Sequence, residues 1–164
     1  MDEFASRLYP VREDMRFQRR SWMVERAGWL VLTAIALAAL SGVFGSGPLS
    51  TARTGAGPLT VVYERFQRAT RTTRFEFEIA PGPRSDATLH LGGAFLRQFE
   101  IASIQPRPLT STAGPDGVDL TFAARPNAGR RVVIWTQSRH YGLSRITAAA
   151  DAGAAAAFWV FVYP

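Results

Sequence analysis

The chain has 164 residues, 47% apolar and 20% charged, which excludes both a multidomain enzyme and a disordered chain and leaves room for one ordinary domain plus a segment or two. Its net charge of +6 comes from 19 basic residues, all Arg, against 13 acidic ones. The arginines are spread along the whole chain with no basic block, which fits a solvated surface from a GC-rich bacterial genome rather than a nucleic-acid groove, and the lack of Cys removes disulfides, thiolate nucleophiles and cysteine zinc sites.

Residues 1–26 carry Arg7, Arg12, Arg16, Arg19, Arg20 and Arg26. An uncharged apolar run follows, AGWLVLTAIALAALSGVF from Ala27 to Phe44. At about 1.5 Å of rise per residue, and with help from its flanks, a helix over 27–45 is long enough to cross a hydrocarbon core of about 30 Å. Trp22 and Trp29 stand near its start, where indole rings favour the headgroup region, and Gly45, Gly47 and Pro48 are expected to end it. A cleaved signal peptide has a shorter apolar core of about 7–15 residues and a shorter leader, so a retained transmembrane helix is expected ahead of a signal peptide or a buried core helix. Because the arginines crowd before the span and only Arg53 lies close after it, the positive-inside rule puts residues 1–26 in the cytoplasm. The stretch Asp14 to Arg26 continues the helix, either as an amphipathic surface segment carrying Met15, Trp22 and Met23 or as an exposed stub.

Residues 46–58, SGPLSTARTGAGP, combine Gly and Pro with small polar side chains and read as a linker. The remainder, 59–164, reads as a small all-β domain. Leu59 to Thr70 fits a strand or a short helix, with a strand through Val61, Val62 and Tyr63 favoured. Arg74 to Ile79 alternates Phe75, Phe77 and Ile79 against Glu76 and Glu78, the pattern of a half-buried strand. Ala87 to Leu91 puts Leu89 and Leu91 in and Thr88 and His90 out, Gln98 to Ile104 offers Phe99 and Ile101, and Pro106 and Pro108 close that run. Val118, Leu120 and Phe122 alternate after the turn signal Gly114-Pro115-Asp116-Gly117. Arg131 to Gln137 is apolar on both faces, as in an interior strand, and Phe158 to Tyr163 (FWVFVY) is the most β-prone run, expected to be buried on both faces. Short strands between Gly/Pro/Asp turns, with no convincing helix among them, predict an antiparallel immunoglobulin-like sandwich.

Residues able to carry chemistry are few. His90 and His140 stand in polar settings without the spacing of a metal site. Glu76 and Glu78 share a strand face and in principle could hold a cation or do acid–base work, although such pairs commonly form a solvated face that resists edge-to-edge association. No nucleophile elbow, Walker A loop, Rossmann glycine pattern or HExxH is present, and no catalytic residue, cofactor or metal is predicted. Arg65, Arg68, Arg71 and Arg74 recur at a spacing of three, which gives a continuous stripe on neither a helix nor a strand. They are candidate contacts to anionic headgroups or an acidic partner, or else partners of Glu64, Glu76 and Glu78. Phe161 and Tyr163 complete the set of candidate interaction residues.

Four short motifs run through the chain: Gly47-Pro48-Leu49-Ser50 after the apolar span, Val62-Tyr63-Glu64-Arg65-Phe66, Gln105-Pro106-Arg107-Pro108, and the terminal Phe161-Val162-Tyr163-Pro164. On these the chain resembles, from Trp22 onward, a group of uncharacterised bacterial single-span membrane proteins, some of them encoded beside YetF-type membrane proteins. The resemblance implies a membrane-tethered β-domain that accompanies a multispan partner, and it supports architecture more than activity. The Ala-rich stretch Ala148 to Ala157 departs from the expected pattern. The function expected is therefore that of a non-enzymatic accessory or interaction protein of the bacterial cytoplasmic membrane. Its outer domain would be periplasmic or extracellular, with the lipid bilayer and a multispan membrane protein as partners and no nucleic acid. An anchored envelope hydrolase and a cation- or lipid-sensing module are the alternatives.

Overall fold

The computed structural model describes residues 15–41, 47, 49–83, 85–123, 126–151 and 153–164, so the expectations for residues 1–14, Gly45 and Pro48 lie outside the described residues. The chain divides into two units between Leu40 and Ser41.

The first unit contains one helix, α1 (Met15–Leu40). Ala, Leu, Met and Arg dominate it, all strong helix formers, and 26 residues span about 39 Å. The helix takes in the Arg-rich stretch from Met15 and ends at Leu40, short of the predicted end at residue 45; the weak helix formers Ser41 and Gly42 follow. Arg26 lies over the Trp22 ring, 4.4 Å from its centroid. None of the α1 side chains is buried, and from Ala27 onward none is charged. The helix is long and apolar enough to cross a membrane, a test that an N-terminal signal sequence also passes.

The second unit is mostly antiparallel β-structure in two sheets. One is ordered β1 (Thr51–Ala56), β2 (Leu59–Glu64), β4 (Thr73–Ile79), β9 (Arg130–Ser138), β6 (Phe99–Gln105). The other is ordered β3 (Phe66–Arg68), β11 (Ala156–Tyr163), β10 (Gly142–Ala150), β5 (Asp86–Gly92), β8 (Gly117–Ala123), β7 (Thr110–Gly114), and only β3 and β11 run parallel. Period-two alternation sends one face of each strand into a shared core: Leu59, Val61 and Tyr63 from β2, Phe75, Phe77 and Ile79 from β4, Leu89 and Leu91 from β5, Leu120 and Phe122 from β8, and Phe158, Val160 and Val162 from β11. Phe75 is the centre of an aromatic cluster, with ring centroids of Phe99, Phe95, Phe158 and Tyr63 at 5.1, 5.3, 6.2 and 6.5 Å.

Four local expectations need correction. The predicted linker contains β1, a strand of small residues closed onto β2 by the two-residue turn Gly57-Pro58, where Gly57 supplies φ +56° and the proline ring fixes the next residue. Against the expectation of no helix, α2 (Gly93–Gln98) carries the chain from β5 to β6 and buries Phe95 and Gln98. Strand β9 is interior to its sheet, but only Val132, Ile134 and Thr136 are buried, while Val133 and Trp135 are half-buried on its outer face. Strand β11 is likewise buried on one face alone. In the Ala-rich stretch, Ala148, Ala150 and Ala156 occupy inward, buried positions, and α2 packs against β10.

Candidate interaction face

The outward positions of β11 hold Trp159, Phe161 and Tyr163. Register fixes their neighbours. Phe161 lies opposite Leu143 of β10 on one side and Phe66 of β3 on the other, forming an apolar row across three strands. Trp159 lies opposite Arg145, and Tyr163 opposite Arg68. Leu143 is 63% exposed, Trp159 52%, Phe161 42% and Tyr141, just before β10, 66%, so the row is a water-facing surface and not a satellite of the core. The alternation is confirmed from beneath, where Gln67, Val160, Val162 and Ile146 are all essentially inaccessible.

The same edge receives the incoming chain. The N–H groups of Ser50 and Thr51 both donate to the Gly47 carbonyl at 3.0 Å, the Ser50 carbonyl accepts from Arg65 N–H at 2.7 Å, and the Arg65 carbonyl accepts from Phe161 N–H at 2.7 Å. Ser50 therefore sits beside Arg65 and Phe66, one strand from Phe161. Beneath them the buried Gln67 donates to the Glu64 carbonyl at 3.0 Å and accepts from Thr73 Oγ1 at 3.1 Å, with Thr136 Oγ1 3.3 Å from Thr73. This satisfied polar chain ties β3 to the opposite sheet.

Charge is distributed unevenly between the outer faces. On the first sheet, Glu78 bridges Arg53 and Arg131, and Arg74 pairs with Glu76 at 3.3 Å while lying 5.9 Å from the Trp135 ring centroid. The carboxylates Glu76 and Glu78 are thus taken up by arginines. On the second sheet His90 Nδ1 meets Asp119 at 2.7 Å across β5 and β8. The outward positions of β3, β11 and β10 carry Arg68 and Arg145 and no carboxylate, and among the described residues neither arginine is in an ion pair within 4.0 Å.

The four arginines singled out by their spacing do not act together. A turn between β3 and β4 sends Arg74 to the first sheet and leaves Arg68 on the second, with Arg71 in the turn, its N–H donating to the Arg68 carbonyl at 3.0 Å. Arg65 sits beside the Tyr63 hydroxyl; burial raises that phenol above its ordinary value of 10.0, and the guanidinium partly offsets the rise. Of the predicted set, Arg68, Phe161 and Tyr163 are brought together. Trp159, Leu143, Phe66, Tyr141 and Arg145 were not anticipated. Strict alternation within FWVFVY would have placed Trp159 on the face, but Leu143 and Arg145 belong to a strand whose Ala-rich sequence gave no β signal. Among the described residues, no group of three or more His, Asp or Glu is placed to hold a metal ion.

No protein-family model matches the chain, and no curated protein matches it.

Proposed function

We propose that the chain is a non-enzymatic interaction protein of the bacterial cytoplasmic membrane, anchored by α1 with its N-terminus in the cytoplasm and presenting an extracytoplasmic β-domain to a membrane partner. The observation that carries this reading is the outward row Phe66–Phe161–Leu143, in which Phe161 and Leu143 are exposed and Phe66 half-buried, with the exposed Trp159 and Tyr141 beside it. A soluble domain keeps such contiguous apolar surface small unless something covers it.

The strand order supports the finer assignment of this domain to the immunoglobulin-like class. Such sandwiches place strands A, B, E and D in one sheet and C, F and G in the other. Taking β2, β4, β5, β6, β9, β10 and β11 as A to G, the orders β2-β4-β9-β6 and β5-β10-β11 follow both sheets, and the β7–β8 hairpin extends the second sheet beyond C.

The test is site-specific photo-crosslinking in native membranes. A photoreactive side chain at Leu143 should give a discrete adduct with a membrane component, and the same group at Gln137, exposed on the other sheet, should give none. Identical patterns at the two positions would remove the interaction face from the account.

A further inference from the structure

We infer that the component covering the β3–β11–β10 face is the anionic phospholipid surface of the membrane itself, an assignment that rests on the reading of this face as an interaction face. Three observations point to lipid. The outward side chains are those that favour a bilayer interface: the exposed Trp159 and Tyr141 and the half-buried Tyr163 each join an apolar ring to a polar tip, and the exposed Phe161 and Leu143 with the half-buried Phe66 supply purely apolar area between them. The charge on the face has one sign. Arg68 and Arg145 stand at outward positions of strands that carry no carboxylate there, whereas Glu76 and Glu78 are held by arginines on the other sheet. A phosphate surface is therefore attracted by this face and by no carboxylate on it repelled. Finally, the Ser50 carbonyl accepts from Arg65 N–H just before β3, so the chain leading into β1 meets the β unit at the β3 edge of this same face.

A protein partner would need carboxylates set opposite Arg68 and Arg145 and a surface shaped to the rings. A headgroup layer supplies negative charge and amphipathic depth without a matched shape. The face is a sheet surface with an apolar centre and arginines beside it, which suits shallow contact at headgroup level.

The absence of Cys makes the test direct. In the full chain, Leu143→Cys carrying an apolar nitroxide reports on the face, and Thr112→Cys, on exposed β7 at the far edge of the same sheet, serves as control. The protein is reconstituted into phosphatidylcholine vesicles with and without phosphatidylglycerol, and collisions of the label with oxygen and with a water-soluble nickel chelate are compared. With phosphatidylglycerol, the label at 143 should become several-fold more accessible to oxygen than to the chelate. High salt or the double variant R68Q/R145Q should restore the values seen in phosphatidylcholine alone, with circular dichroism unchanged and the label at 112 in water throughout. A label at 143 that stays in water in both lipid mixtures overturns the lipid assignment. If it is then shielded from both reagents in native membranes, a protein covers the face and the interaction reading stands. If it remains open to the chelate there as well, both readings fail.

Discussion

Replacing Phe158 by Ala should cost the β unit about 3–5 kcal/mol, whereas Phe161→Thr in the same strand should cost about 0.2–1 kcal/mol. Phe158 points inward, is almost wholly buried, and has ring centroids of Tyr63 and Phe75 at 4.5 and 6.2 Å. Truncation there removes a core side chain and leaves a cavity between the sheets. Phe161 points outward against Leu143 and Phe66, so its loss removes cross-strand pairs on a wetted surface, and Thr is itself a β-branched residue that strands favour. Urea unfolding of the full chain in mild detergent, followed by the far-ultraviolet strand signal, reads both. With a slope of about 1–3 kcal/mol per M, Phe158→Ala should lower the midpoint by about 1–5 M. The ratio of the two shifts, at least about three, does not depend on that slope. Equal shifts, or a larger one for Phe161→Thr, would place both rings in the core and refute the exposed face.

Gly117→Ala should destabilise the unit by more than about 2 kcal/mol in thermal melts, since Gly117 has φ +152° and a Cβ would fall 2.0 Å from the Leu91 carbonyl oxygen, which is backbone and cannot swing away. Thr73→Val keeps the volume but withdraws the donor to Gln67, at a cost of about 1–3 kcal/mol, and adding Gln67→Leu should recover part of it, which urea midpoints of the single and double variants would show. Tyr63 makes the fold sensitive to alkali: with its folded value raised above 10.0, its contribution is intact below pH 10.0 and is lost as pH climbs through the raised value, so Tyr63→Phe should flatten that part of a stability-against-pH curve.

Strands in which large and polar residues alternate could be read directly from the sequence. Phe75, Phe77 and Ile79 against Glu76 and Glu78 left no choice of face, and the same holds for Leu89 with Leu91 and for Leu120 with Phe122. Other strands could not: Thr51 to Ala56 has almost no hydrophobic contrast, and in Gly142 to Ala150 the two large apolar residues, Leu143 and Ile146, stand three apart on opposite faces, so no alternation shows and the conformation is set with the strands they pair with. The six-residue α2 is too short for a helical period to show. The candidate face was half legible. FWVFVY announced a strand, but an unbroken run of large apolar residues looks the same whether both faces are buried or one is left outside for a partner. That Arg68 meets Tyr163, and Leu143 meets Phe161, depends on which strands become neighbours, and local patterning carries no record of it. The arginine spacing misled for the same reason, because the turn after β3 separates Arg68 from Arg74.

The proposed anchoring requires that one polypeptide keep α1 and display its β-domain outside the cell membrane. It is tested most directly with a membrane-impermeant thiol reagent on intact bacteria carrying Gln18→Cys, near the start of α1, or Gln137→Cys, exposed on β9. The expected result is a labelled 137 and an unlabelled 18 that reacts only after the membrane is opened, both in a chain of full length. Labelling at 18 with protection at 137, or a mature protein that has lost α1, would contradict it.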